Sequence, residues 1–288
     1  MGRQASTGSW IAAVIVVLAV IGGGAFLVYK AMHANQSAAP PPDVAPAIPA
    51  TAAAPIQHPI AQAGTTPASA STAALPGLDQ SDAAVTAALQ RLAGDAKLSA
   101  LLVRPQLIAR IVASIDAMPG RSLGGYMLPA KTPKGAFVTR DVAGQTVIGE
   151  ENAARYAPYM AIIEQVDPQA LVDWYVQSYP LFQQAYRQLG YPKGYFNDRL
   201  IVVIDNLLAA PEPTEAPALR RSDKGYYVYA DPGLEALSSG QRLLLRTGPA
   251  NEARIKARLR TIRGLLVGQR LQPAVPATVV RPASAGTR

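Results

Sequence analysis

Tyr195-Phe196-Asn197-Asp198-Arg199-Leu200-Ile201-Val202-Val203-Ile204-Asp205-Asn206-Leu207-Leu208 decides the fold. The run is too long for an ordinary strand, and its apolar side chains fall on nearly every side of a helix. A helix without a polar face belongs at the centre of a bundle. Just upstream, Leu171, Trp174, Tyr175, Ser178, Leu181, Phe182, Ala185, Tyr186 and Leu189 recur at helical spacing. Gly190-Tyr191-Pro192 stops that helix and turns the chain back. Two consecutive helices of this kind predict a mainly α domain.

Working outward, Ser81 reads as the N-cap of a helix carrying Val85, Ala88, Leu89 and Leu92, stopped by Gly94. A further helical stretch starts near Ala96 and is restarted by Pro105, with Leu107, Ile108, Ile111, Val112 and Ile115 inward. Met118-Pro119-Gly120 ends it. Phe137-Val138-Thr139 and Thr146-Val147-Ile148 around Ala143-Gly144 read as a small hairpin, which Tyr226-Tyr227-Val228-Tyr229 can join. Ala153, Tyr156, Met160 and Ile163 mark one helix, and Asp167-Pro168 and Asp231-Pro232 open two others. Pro180 is expected to kink or divide its helix. Leu243 to Thr247, then Ile255, Leu259, Ile262 and Leu266 beyond Gly248-Pro249, give a final helix pair. The expected fold is therefore a helical bundle with a small β-hairpin element, over residues 75–268.

The chain upstream differs in kind. Trp10 to Val28 holds no charged side chain, and its 19 residues span about 28 Å as a helix, close to a bilayer core. Trp10 and Tyr29 flank it at headgroup level. Its apolar core is too long for a signal peptide, and Ala31-Met32-His33-Ala34 is a poor cleavage site, which favours an uncleaved transmembrane helix over 10–29. Arg3 and Lys30 nearly balance across the span, so orientation rests on the short N-terminus, 1–9, staying cytoplasmic. From Asn35 to Ala74, 22 of 40 residues are Ala or Pro and none is aromatic, too little apolar surface to offset ordering. Residues 30–74 therefore read as a disordered Ala/Pro-rich linker and 269–288 as a disordered tail.

Composition excludes several chemistries. There is no cysteine, so no disulfide, thiol nucleophile or thiolate metal site. The two histidines are His33 and His58, both upstream of the domain, which removes histidine triads and imidazole metal ligands from it. No cofactor and no metal site is expected. The net charge of +8 belongs to the C-terminal part, where ten basic residues from Arg242 to Arg288 face one acid, Glu252.

Polar residues on the apolar helix are the first site candidates. Asp198 and Asp205, seven apart, share a face, with Asn197 and Arg199 beside them. Buried carboxylates need partners, and Arg155 is a natural one. An ion-pair and cap network holding the bundle is the simpler reading; a carboxylate site with Glu150 or Glu151, of glycosidase-like chemistry, is the sharper one. Tyr156, Tyr159, Tyr175, Tyr179, Tyr186, Tyr191 and Tyr195 form a large aromatic population, mostly core, with Tyr191 and Tyr195 placed for contact on a Gly/Pro loop. Arg254 and Arg258 line one flank of the last helix, and Lys256, Arg260 and Arg263 the other, suiting either a solvated face or anionic lipid.

Several of these motifs occur together elsewhere. Leu78-Asp79-x-Ser81-Asp82, Asn152-x-x-Arg155-Tyr156, Tyr179-Pro180, Leu189-Gly190-Tyr191-Pro192, Tyr195-Phe196-Asn197-Asp198-Arg199 with Ile204-Asp205, and Ala230-Asp231-Pro232 through Gly248-Pro249 carry the resemblance. The chain resembles the bacterial domain-of-unknown-function family numbered three thousand and fourteen over about Leu75 to Gly268. The resemblance implies a membrane-tethered envelope protein and carries over no functional residue.

The expected protein is a single-pass inner-membrane protein with a periplasmic domain, acting as a non-catalytic scaffold or interaction module for an envelope protein or cell-wall partner. Nucleic acid is not an expected partner. The alternative is a carboxylate-dependent hydrolase acting on an envelope polymer.

Overall fold

The computed structural model describes residues 55–62, 75–94, 98–103, 105–123 and 128–268. The expected membrane span at 10–29 and the tail at 269–288 lie outside them. No helix among the described residues is long and apolar enough to cross a membrane.

After a 3-10 turn at Leu78–Gln80, helix α1 covers Asp82–Ala93, α2 Leu98–Leu101 and α3 Leu107–Ala117. Ser81 precedes α1 but does not cap it through its side chain; its hydroxyl donates backwards to the Leu78 carbonyl at 2.7 Å. Asp82 works forward instead, accepting from the Gln106 and Leu107 amides at 2.7 and 2.6 Å. A carboxylate from α1 thus caps α3.

Strands β1 (Thr139–Val142) and β2 (Gln145–Ile148) form the expected hairpin, with Thr139 opposite Ile148 and Val142 opposite Gln145. Ala143 and Gly144 turn it with φ of 50° and 77°, the left-handed pair that a two-residue hairpin needs. The strand starts two residues later than its apolar pattern suggests. Val138 is taken by the Asn152 carboxamide, which accepts from its amide at 3.1 Å and donates to its carbonyl at 2.6 Å.

The helix expected around Tyr156 is two pieces, α4 (Glu151–Ala154) and α5 (Ala157–Gln165). Pro158 lies in the first turn of α5, where its missing amide costs nothing but bars continuation from upstream. Helix α6 spans Pro168–Gln188, capped by Asp167, whose carboxylate accepts from the Ala170 amide at 2.8 Å. It continues through Pro180 undivided. That residue is exposed, so water can meet the carbonyl left without an amide partner.

Helix α7, Phe196–Leu208, packs against α6, and α3 and α10 (Pro249–Leu266) each contact both. Between them in sequence come β3 (Leu219–Arg221), β4 (Tyr227–Tyr229), α8 (Pro232–Glu235) and α9 (Ser239–Thr247). One contiguous apolar core joins all the longer helices. Helix α7 is central, as its composition demands, yet it is not buried all round. Val202 is 51% exposed, and with Asp205 it forms a stripe facing solvent.

Tyr227–Tyr229 pairs with Leu219–Arg221 in a second hairpin rather than with the first, and a single bridge between Val147 and Ala218 links the two. The mainly α reading with a minor antiparallel β element therefore holds, with two hairpins in place of one.

The largest departure lies in the stretch read as linker. Residues 55–62 are seated on the bundle, ending in a 3-10 turn at Ile60–Gln62 against α6, with Ile60 half-buried on the core. The expectation of an unstructured 30–74 is corrected for this segment. The reason is polar: α7 supplies partners for its main chain.

Candidate functional site

The amino-terminal end of α7 is built from α6. Gln183, 7% exposed, accepts from the Phe196 amide at 2.9 Å and from the Tyr179 hydroxyl at 2.8 Å, and donates to the Gly194 carbonyl at 2.7 Å. A side chain one helix away thus satisfies the first amide of α7, which local sequence leaves unpaired. Tyr175, Phe182, Tyr186 and Phe196 fill the space beneath, with the Phe182 and Phe196 rings stacked at 5.8 Å.

On this platform stand Asn197 and Asp198. Both oxygens of the Asp198 carboxylate accept main-chain amides of the linker segment, from Gln57 at 3.1 Å and His58 at 2.7 Å. Asn197, 1% exposed, donates to the His58 carbonyl at 2.8 Å. Tyr175 donates its hydroxyl to the Asn197 side-chain oxygen at 3.3 Å, and complete burial holds that hydroxyl well above the ordinary tyrosine range. Tyr179 is shifted the same way, chiefly by burial. The notch carries donors and acceptors spaced for a peptide backbone.

The other expected site residues are dispersed. Asp205 is not gathered with Asp198; it forms a two-pronged pair with Arg263 of α10, one contact at 3.0 Å. Arg155 meets neither aspartate. It donates to the Lys134 and Gly135 carbonyls at 3.2 and 3.0 Å and to Asn152 at 3.3 Å, stapling the loop before β1. Arg199 pairs with Asp116 of α3 at 2.7 Å, and Tyr191 reaches the same carboxylate at 3.1 Å while stacking on Tyr186 at 4.5 Å. Tyr191 remains 41% exposed, and Tyr195 is the half-buried residue before α7.

The basic flanks of α10 are largely spoken for by the domain's own acids and carbonyls. Arg254 pairs with Glu164 at 2.9 Å, and Arg258 donates to the Glu164 carbonyl at 2.6 Å, at the carboxyl end of α5 where a cation is favoured. Lys256 is buried, 1% exposed, against Glu252 at 3.1 Å, Glu212 at 2.8 Å and the Ala210 carbonyl at 2.6 Å.

Glu252 of that pair lines a site that spacing alone did not indicate. A cleft of about 400 Å³ lies between β2, the 213–217 loop and the start of α10, lined by Glu150, Pro213, Pro217, Arg246 and Glu252 among others. Glu252 is 3% exposed, and no hydrogen bond is directed at its Oε1 although the Lys256 ammonium is near. Burial pushes its carboxyl up, and Lys256 pulls it part of the way back. The Arg246 Nε is likewise buried without a partner, while its Nη2 donates to the Tyr227 carbonyl at 3.2 Å. The only available hint was Glu252 as the lone acid in a basic segment. Among the described residues no group of three or more metal-ligating side chains stands close enough to hold an ion.

A mainly helical domain with two short hairpins, a peptide-engaging notch and one buried Lys–Glu pair defines the class. The model of the family described as protein of unknown function, DUF3014, matches residues 107–263, and the chain belongs to that family. The match is narrower than Leu75 to Gly268 but contains the notch and the cleft. No curated protein and no solved structure proves similar enough to the chain to count as a match.

Proposed function

We propose that the chain is an interaction module of the bacterial envelope, anchored by residues 10–29 in the inner membrane, with its bundle in the periplasm. It works by binding a protein or cell-wall partner without chemistry of its own. The observation that supports this most is the use made of Asp198. The carboxylate best placed for catalysis in the sequence is occupied by two backbone amides, so its local chemistry is that of holding a chain. Asp205 is paired with Arg263 of α10 instead.

Contact of Arg254 and Arg258 with anionic lipid is the weaker part of the reading, because both already have partners on Glu164. The test is fractionation with protease accessibility and crosslinking in cells. Recovery with the inner membrane, cleavage of the bundle only once the outer membrane is opened, and a discrete crosslinked partner are expected. Recovery in the soluble fraction overturns it.

One observation favours hydrolysis of an envelope polymer as a second reading, now moved from Asp198 and Asp205 to the cleft. There a carboxyl raised by burial, Glu252, shares the lining with exposed Glu150. Turnover of a cell-wall polymer that is lost in Glu252→Gln would establish it.

A further inference from the structure

The segment Pro55–Gln62 is held at the head of α7 entirely through its main chain at Gln57 and His58. Two amides donate to Asp198, and the His58 carbonyl accepts from the Asn197 side-chain nitrogen; no side chain of the segment is among these bonds. Such a grip is indifferent to which side chains stand at those two positions. What it selects is a local shape: a bend presenting adjacent amides, then Pro59, then an aliphatic residue, Ile60, half-buried on the core.

The receiving side chains are arranged in advance. Asn197 is buried and its carboxamide is turned by Tyr175, while Gln183 fixes the helix end on which Asp198 sits. Preorganisation of this kind is what a recognition site requires, since little ordering remains to be done on binding.

We propose that the Asn197–Asp198 notch is a peptide-binding site, and that Pro55–Gln62 is its resident ligand, closing it to outside peptides of the same shape. The partner it fits is a protein segment with two free amides in a bend followed by proline and an aliphatic residue. This deepens the interaction-module reading and rests on it. Simple departure of the resident segment breaks three hydrogen bonds at once, those to Asp198 and that from Asn197. An incoming peptide supplies the same three main-chain groups, so exchange by competition is favoured over vacancy. The resident segment belongs to the same chain as the notch, so it competes intramolecularly with any incoming peptide. Only a tighter or locally concentrated partner displaces it.

The experiment uses the full chain. Gln57→Pro with His58→Pro removes both resident amide donors and leaves the notch intact. A labelled octapeptide with the sequence of residues 55–62 is titrated into this double variant and into the unaltered chain. The double variant is expected to bind it at least about tenfold more tightly, the difference being relief from the tethered competitor. Adding Asp198→Ala abolishes binding. Asp198→Asn, nearly isosteric, keeps the melting temperature while weakening the peptide, so loss of binding is not loss of fold. Equal affinity with and without the resident amides overturns the proposal. So does binding that survives Asp198→Ala, or equal binding of an octapeptide with proline at both amide positions. Failure here leaves the module reading standing, whereas absence of a crosslinked partner in cells, with octapeptide binding intact, counts against that reading and not against the site.

Discussion

The Tyr175 hydroxyl donates to the Asn197 side-chain oxygen at 3.3 Å, so one ring of α6 holds one end of the carboxamide that grips His58. Burial raises the pKa of that hydroxyl well above the ordinary tyrosine value, which favours its protonated, donating form. The His58 carbonyl can only accept, so it takes the carboxamide nitrogen and leaves the oxygen for the Tyr175 hydroxyl. The hold on a segment 139 residues away in sequence begins with a ring on the neighbouring helix. Tyr175→Phe nearly conserves volume and deletes the donor. It should cost about 1 kcal/mol in urea unfolding and speed amide hydrogen exchange at Gln57 and His58, with little change elsewhere.

Gln183 offers a sharper stability test. Gln183→Leu keeps the bulk and strands the Phe196 amide and the Gly194 carbonyl in a nearly closed space. A loss of about 1–3 kcal/mol is expected, read as a lower urea midpoint with the slope unchanged. A neutral result would mean that water reaches the helix end and that the α6 contact is dispensable.

The buried pair in α10 should behave as a coupled unit. Lys256→Met leaves Glu252 charged and enclosed, which costs about 3–5 kcal/mol for a pair broken on one side. Glu252→Gln added to it should recover most of that loss, so the double-mutant cycle gives a large coupling term. Additive effects in chemical denaturation would contradict the 3.1 Å pairing.

The same carboxyl sets a pH dependence. Burial raises the Glu252 pKa above its ordinary 4.5 in the folded chain. Between that value and the higher folded one, the native state binds more protons than the unfolded state, so this group's contribution to stability falls as pH rises. The penalty is complete above the folded pKa and is relieved as pH drops toward 4.5. Melting curves of the unaltered chain and Glu252→Gln across this window should converge at the acid end and diverge at neutral pH.

What could be read from the sequence was local. Asp167-Pro168 and Asp231-Pro232 cap the helices they precede, Ala143-Gly144 turns its hairpin, and Leu107, Ile108, Ile111, Val112 and Ile115 face the core, because each depends on neighbours within a turn or two. What could not be read depends on distance. Nothing near Gln183 says that it will close the end of another helix. Pro217 to Arg221 carries no alternation, so β3 is visible only once Tyr227–Tyr229 lies beside it. Val202 misled the reading of α7, since an apolar β-branched residue counts toward the core whether or not a neighbour covers it. Asp198 and Asp205 do lie on one helix, but spacing along α7 said nothing of the linker and α10 partners that separate their roles. Lys256 looked like a member of a basic stripe because its acids, Glu212 and Glu252, approach from a loop and from its own preceding turn.

The seating of residues 55–62 also changes how the domain carries load. A pull arriving from the amino-terminal side meets the bundle first at Gln57 and His58, not at the start of α1. Tension therefore runs into the α6–α7 corner through two amide-to-carboxylate links. Parting those two links would free residues 55–62 while every hydrogen bond within the helices stays made.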